Sequence, residues 1–233
     1  LAYQATLPLP VDSPVDTVGL ADRIRDWSIP ELSDSANTFN PLTKTQKENE
    51  HLIRPLALGF LAAKAGDYGA ARAYADEIES LRTDPGFPYP SVPTDVAQGL
   101  RAEILFREGR PAETIAAIDA AEWNLNYNEL ALVPILSVGR VNYLRALALQ
   151  QLGEHEEALR WFTHGVQLTE LAPSHLHRGE IHEELGNIDQ AIWHYEAFAE
   201  LWKDSDPEFR PKVREVLQHV AELRGEVVDV TAN

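Results

Sequence analysis

The sequence contains neither cysteine nor methionine among its 233 residues. Without cysteine, the chain has no disulfide framework, no cysteine-ligated zinc or iron–sulfur centre and no thiol nucleophile. Without methionine it also lacks an initiator residue, so we expect a chain that has been processed or that is a piece of a longer protein. The expected compartment stays open between the cytoplasm and export after N-terminal processing.

Basic residues are scarce, and long apolar runs are missing. The chain has 20 Lys and Arg residues against 37 Asp and Glu residues, which gives a formal net charge of −17. This charge repels phosphate backbones and anionic headgroups, so we expect no nucleic-acid partner. No apolar run reaches the ~18 residues of a membrane-spanning helix, so we expect no membrane insertion. Arg outnumbers Lys 15 to 5, which indicates a GC-rich bacterial genome.

Residues 1–42 are predicted to form an extended arm, a short helix and a linker. Three prolines within 1–14 favour an extended arm, because proline fixes φ and removes an amide donor. An amphipathic helix is predicted over 15–27. Its apolar positions are Val18, Leu20, Ile24 and Trp27. Residues 28–42 are rich in Ser, Asn, Asp and Pro, a composition that predicts a linker.

Four similar joints recur in the rest of the chain, each made of a helix end, a glycine and a second helix start. The glycines are separated by 43, 44 and 33 residues and are Gly66, Gly109, Gly153 and Gly186. Glycine suits this place because the chain turns there through positive φ, which penalises a Cβ. Five residues after each glycine lies a small residue that allows close helix packing: Ala71, Thr114, Ala158 or Ala191. The pattern predicts an array of helix pairs.

These joints resemble the tetratricopeptide repeat, a unit of 34 residues that forms two antiparallel helices. The resemblance is strongest over 171–204, and further repeats are expected at about 52–85, 95–128 and 138–171. In 171–204 the residues at or near signature positions are Gly179, Leu185, Gly186, Ala191, Tyr195 and Phe198. The resemblance implies an all-α, right-handed α-solenoid of about four helix pairs within residues 43–225.

A capping helix is expected over 207–224, at the end of the array. Asp206 offers an N-cap, Pro207 a first-turn proline and Glu208 an acidic residue near the positive end of the helix dipole. An apolar stripe should cover the last repeat, because an uncapped solenoid exposes an apolar face. The stripe is Val213, Val216, Leu217, Val220 and Leu223. Residues 226–233 are expected to be a flexible tail.

Four nearby histidines are the only cluster that resembles a metal or catalytic site. His175 and His182 are seven residues apart and share a helix face, whereas His177 points elsewhere. An H-E-x-x-H motif would need a second histidine where Gly186 stands. We therefore expect no metal site, no cofactor and no enzymatic activity. Whether His175, His177, His182 and His194 bind anything stays open.

The family resemblance implies that the first helices of the repeats line a concave groove for a protein or peptide. The positions that it assigns to the groove are Phe60, Lys64, Glu103, Arg107, Arg140, Tyr143, Leu147, Gln150, His177, Glu180 and Glu184. The family's carboxylate clamp needs Lys and Asn at positions that hold Leu56 and Phe60 here, so that specific function is not expected. Packing is the expected role of Trp161 and Trp193 on the second helices.

Three interpretations of the function follow from these features. The first is a non-catalytic repeat scaffold that binds a protein or peptide in its groove. The second is a self-assembling structural subunit of an extracellular or cell-surface polymer, whose N-terminal arm docks on a neighbouring copy through Leu7, Leu9 and Trp27. The third is the C-terminal repeat region of a larger bacterial signalling protein.

Overall fold

The described part of the chain folds entirely into helices. A computed structural model describes residues 16–27, 50–83, 91–121, 138–165, 170–207 and 209–226. These ranges contain ten α-helices and one 3₁₀ turn at Leu81–Thr83, and they contain no strand. The helices are α1 (Thr17–Arg25), α2 (Glu50–Lys64), α3 (Tyr68–Ser80), α4 (Ser91–Arg107), α5 (Pro111–Asp119), α6 (Val138–Gln151), α7 (His155–His164), α8 (Leu171–Glu184), α9 (Ile188–Trp202) and α10 (Arg210–Leu223).

Each helix packs on the next one along the chain, as a helical repeat requires. The buried side chains form overlapping clusters, each shared by neighbouring helices: α1 with α2, then α2–α4, α4–α6, α6–α8 and α8–α10. This arrangement confirms the predicted all-α class. The right-handed sense of the solenoid and the role of α10 as a cap stay predictions. None of the described helices combines the length and apolar character that crossing a membrane demands.

The four predicted glycines lie at the joints within the helix pairs. Gly66, Gly109, Gly153 and Gly186 have φ values of 78°, 73°, 77° and 74°. No heavy atom lies within 4 Å of a Cβ built at any of them, so backbone conformation rather than crowding requires glycine. The second helix of each pair begins two residues later. The joints are therefore determined locally.

Close packing within the pairs depends on the small residues predicted for the second helices. Ala71, Thr114, Ala158 and Ala191 have no exposed surface. In the last pair α8 contributes Gly179, where an added Cβ would lie 2.5 Å from Cε1 of Tyr195 on α9. Here the glycine serves close approach rather than a turn.

The N-terminal helix is shorter than predicted, and its buried face differs. Asp16 is the N-cap, and its Oδ1 accepts the backbone N–H of Gly19 at 2.8 Å. Leu20 and Ile24 are buried, but Val18 is 71% exposed, because a residue two positions from Leu20 lies on the opposite helix face. Trp27 follows the helix, and its carbonyl oxygen accepts a hydrogen bond from Arg54 at 2.5 Å. Leu7, Leu9 and the linker lie outside the described residues.

The last helix starts later than predicted. It begins at Arg210, and Phe209 rather than Asp206 occupies the N-cap position. The Phe209 ring packs on Trp202 with ring centroids 5.4 Å apart, which anchors the chain before the helix begins. Val213, Val216 and Val220 are buried as predicted, but Leu217 is about half-exposed at the edge of the stripe. The predicted tail beyond residue 226 lies outside the described residues.

Candidate functional site

Predicted groove residues from three helices meet in a buried ionic cluster. Glu103 of α4 accepts hydrogen bonds from Arg107 Nε and Arg140 Nη2, both at 2.7 Å. Glu103 is 1% exposed, and Arg140 of α6 is also buried. The Arg140 guanidinium lies 5.7 Å from the ring centroid of Phe60 on α2. The cluster therefore joins the first helices of three successive pairs.

The charges of this cluster shift the ionisation of its members strongly. Burial alone would raise the pKa of the Glu103 carboxyl, but Arg140 and Arg107 outweigh it and lower this pKa to about 2. Lys64, at the end of α2, lies close enough to feel the same charges. Burial, together with repulsion from Arg140 and Arg107, lowers the pKa of Lys64 to about 7, although Glu103 opposes this effect.

A second cluster joins predicted groove residues of α6 and α8. The buried Tyr143 ring packs edge-on against Phe162, which stacks on His177 with centroids 5.4 Å apart. His177 Nδ1 lies 2.8 Å from Glu180 Oε2, and Gln150 Nε2 donates to the same oxygen at 3.0 Å. Side chains predicted for two successive repeats thus lie in contact.

The predicted positions differ in how accessible they are. Phe60, Glu103, Arg140 and Tyr143 are buried within the chain, so they support a surface rather than face solvent. Glu184 is exposed and lies 3.4 Å from His155 of α7. We define the accessible members as the first-helix face: Lys64, Arg107, Leu147, Gln150, His177, Glu180 and Glu184. Its assignment as a binding groove stays a prediction.

A known protein family matches the part of the chain that contributes the middle of the first-helix face. A family model described as tetratricopeptide repeat matches residues 139–162, which cover nearly all of α6 and most of α7. The chain contains a tetratricopeptide repeat. This match confirms the family resemblance within the repeat expected at about 138–171, whereas the repeats expected at 52–85, 95–128 and 171–204 and a bacterial source stay predictions. No curated protein and no solved structure matches the chain.

The matched tetratricopeptide repeat contributes Leu147 and Gln150 to the first-helix face and the buried Arg140 and Tyr143 beneath it. Its helix α6 carries Arg140, Tyr143, Leu147 and Gln150, which lie at intervals of three or four residues and so share one side of the helix. Arg140 reaches back to α4, and Gln150 reaches forward to α8. The repeat therefore connects the two clusters.

Three of the four histidines converge between α8 and α9. His175 Nδ1 lies 3.0 Å from His194 Nδ1, and the His182 ring stacks on His194 with centroids 5.3 Å apart. His194 is 1% exposed, and burial and the nearby Arg178, His175 and His182 lower its pKa to about 3. Within the described ranges no group of three or more ligand-type side chains could hold a metal.

Two further features of the last helices were not predicted. Trp193 is 55% exposed, so its expected packing role is wrong, although its ring contacts His175 and His194. Glu183 Oε2 accepts the Tyr195 hydroxyl at 2.8 Å and lies 2.7 Å from His219 Nε2, which ties α8 to α9 and α10. No local pattern indicates this second contact, because Glu183 and His219 are 36 residues apart.

Proposed function

We propose that this chain is a non-catalytic scaffold that binds a protein or peptide segment across its first-helix face. The observation that carries the proposal is continuity: contacts link side chains of α2, α4, α6 and α8, from Phe60 and Arg140 to Gln150 and Glu180. A tetratricopeptide repeat at the centre of this surface supports an interaction role in general terms.

The buried layer beneath the face favours binding over chemistry. Arg140 and Arg107 lower the pKa of Glu103 and burial raises the pKa of Tyr143, but each group is enclosed by side chains of its own chain. Such groups hold neighbouring side chains in place, and a surface that is ordered before binding loses less entropy on association. The accessible residues, including Arg107, Leu147 and Glu184, then provide the polar and apolar contacts of a mixed interface.

The other two interpretations stay predictions. For self-assembly, Leu7 and Leu9 lie outside the described residues, and the Trp27 carbonyl is engaged with Arg54 of the same chain. Light scattering over a hundredfold dilution tests it: the scaffold proposal expects a constant molar mass, and growth abolished by removing residues 1–27 would favour self-assembly. The third interpretation, the C-terminal repeat region of a larger bacterial signalling protein, concerns a longer gene product and stays a prediction.

Selection of peptides from a random display library tests the proposed binding face. Selected peptides are measured by fluorescence anisotropy against the unmodified chain, Glu184→Lys and Glu156→Lys. The two variants carry the same charge change on exposed positions, but only Glu184 belongs to the first-helix face. We expect Glu184→Lys to change affinity at least several-fold and Glu156→Lys to leave it unchanged.

Two outcomes of this selection count against the proposal. One is a set of peptides whose affinity responds equally to both variants, because the binding surface then lies elsewhere. The other is a failure to select any peptide that binds more tightly than about 100 µM, a weak affinity for a recognition module.

A further inference from the structure

Arg178 on α8 is a partly buried arginine without an acidic partner. Every other described arginine that is buried or partly buried pairs with a carboxylate: Arg54, Arg101, Arg107, Arg140 and Arg145. Within the described residues Arg178 forms no hydrogen bond or ion pair, and its Nε is buried without a partner. Burying a charge without a partner is unfavourable. In a chain of formal net charge −17, such a guanidinium is a candidate for binding an anion from outside the chain.

Three histidines lie beside this arginine. His175 precedes Arg178 by three residues and His182 follows it by four, so helical spacing places all three on one side of α8. From α9, His194 contacts both histidines: its Nδ1 lies 3.0 Å from His175 Nδ1, and its ring stacks on His182 with centroids 5.3 Å apart. In the described structure His182 Nδ1 is buried without a hydrogen-bond partner. We call Arg178, His175, His182 and His194 the arginine–histidine patch.

The carboxylates of α8 are engaged away from the patch. Each pairs with a histidine that is not a patch member: Glu180 with His177, Glu183 with His219 of α10, and Glu184 with His155 of α7. In the part of the chain that the structure describes, no carboxylate acts on the patch histidines from α7, α8, α9 or α10. Burial and then repulsion from Arg178 lower the pKa of all three. At pH 7 the arginine therefore lies among neutral imidazoles that can still take up protons.

The patch lies on a different side of α8 from the first-helix face and is accessible from solvent. Arg178 and Glu180 are two residues apart, which places them on opposite sides of the helix. His175, Arg178 and His182 are each partly exposed. Beside them Trp193 is 55% exposed, and its ring centroid lies 5.6 Å from that of His175. A ligand that reaches the patch thus meets a guanidinium, imidazoles and an aromatic ring.

We propose that the arginine–histidine patch binds a phosphate group and that binding draws protons onto the patch histidines. The inference goes beyond the proposed function, because the patch is separate from the first-helix face. A phosphate monoester carries about two negative charges near neutral pH and three acceptor oxygens. The planar guanidinium of Arg178 can donate to two of these oxygens at once. His175 and His182 can donate to the remaining oxygen, and a protonated imidazole has both nitrogens as donors.

A carboxylate uses less of the patch than a phosphate. It has one charge and two oxygens, which the guanidinium alone satisfies. The larger charge of phosphate favours protonated imidazoles and raises the depressed pKa values of the patch histidines, so binding takes up protons. Affinity should therefore increase as the pH falls from 8 to 6.5. Sulfate keeps both of its charges over this range, so it separates titration of the protein from titration of the ligand.

NMR titrations of the full chain, followed through the histidine ring protons, test the site. The probes are phenyl phosphate, sulfate and acetate at constant ionic strength, and His175→Gln and His182→Gln assign the resonances. We expect phenyl phosphate to bind at pH 6.5 with a Kd of about 1 mM or tighter, and at least about tenfold more tightly than acetate. Sulfate should bind several-fold more tightly at pH 6.5 than at pH 8. A short peptide with one phosphoserine, compared with phenyl phosphate, distinguishes a phosphorylated side chain from a small phosphate as the source of the group.

Variants of Arg178 assign the effect to the patch. Arg178→Met keeps the apolar stem and breaks no described ion pair, so we expect it to fold, which circular dichroism checks. It should weaken phenyl phosphate binding at least about tenfold and raise the pKa of the patch histidines in the unliganded chain. Arg178→Lys keeps the charge but not the planar fork and should have intermediate affinity. Arg23→Met removes an exposed arginine of α1 and should leave the affinity unchanged.

Several results would overturn the inference. One is no saturable binding of phenyl phosphate up to about 10 mM, and another is equal affinity for phenyl phosphate and acetate. Binding that survives Arg178→Met, or histidine pKa values that do not change in this variant, would mean that Arg178 does not act in the patch. A sulfate affinity that is the same at pH 6.5 and pH 8 would refute the uptake of protons. The peptide selection on the first-helix face is independent of all these results, so the two proposals can fail separately.

Discussion

Replacing Glu103 with glutamine tests the buried layer beneath the first-helix face. The change keeps the size of the side chain but removes the charge that Arg107 and Arg140 share at 2.7 Å. Glu103 is 1% exposed and Arg140 is also buried, so solvent cannot replace the lost charge beside Arg140. Removing one partner of a buried ion pair costs about 3–5 kcal/mol.

The lowered pKa of Glu103 provides a second estimate and a pH signature. A folded-state pKa of about 2 lies about 2.5 units below the usual 4.5, which corresponds to about 3 kcal/mol. A carboxyl whose folded pKa is depressed contributes its stability above the unfolded pKa and loses it as pH falls through the folded one. At pH 3 about 1 kcal/mol of this contribution should remain.

Urea unfolding, followed by far-UV circular dichroism, measures these values. At pH 7 we expect Glu103→Gln to lower the free energy of unfolding by about 3 kcal/mol, and at pH 3 by about 1 kcal/mol. Glu113→Gln is the matched control, because Glu113 pairs with Arg110 on an exposed surface and its loss should not change the midpoint. A Glu103 variant as stable as the unmodified chain at both pH values would refute the reasoning.

Three further substitutions test the packing and titration of the last helix pair. Gly179→Ala should lower stability by about 1–3 kcal/mol, because its Cβ would lie 2.5 Å from the Tyr195 ring. Ala191→Trp should cost at least as much, since Ala191 has no exposed surface, and the thermal midpoint measures both. The unmodified chain should lose up to about 2 kcal/mol between pH 7 and pH 5, because below the usual pKa of 6.5 the unfolded chain takes up a proton on His194, whereas the folded chain, in which this pKa is about 3, does not. His194→Phe should remove most of this loss in urea titrations at the two pH values.

The outcomes that contradict these expectations are distinct. An unchanged thermal midpoint for Gly179→Ala or Ala191→Trp would mean that α8 and α9 are not in close contact at these positions. For the titration, His219→Phe is a matched control, since His219 is partly exposed on α10. If His194→Phe and His219→Phe retained the same acid sensitivity, buried His194 would not be its source.

The sequence by itself determined the helix pairs, because the signals that specify them act within a few residues. Gly66, Gly109, Gly153 and Gly186 are required by positive φ alone, with no crowding around them. The small residues five positions later, such as Ala191, are fully buried as predicted. Helical spacing also separated His175 and His182 from His177 correctly, because side chains seven residues apart share one face.

Only the tertiary structure decided which faces are covered and which charges meet. Periodicity identifies the residues that share a helix face, but it does not reveal which neighbouring helix buries that face. Glu103 and Arg140 are 37 residues apart and belong to different pairs, so their burial and their ion pair depend on how α4 and α6 pack. Trp193 remains exposed on α9 for the same reason, because no described neighbour covers it fully. Local chemistry thus specifies each helix pair, whereas the charge distribution of the first-helix face arises only when successive pairs stack.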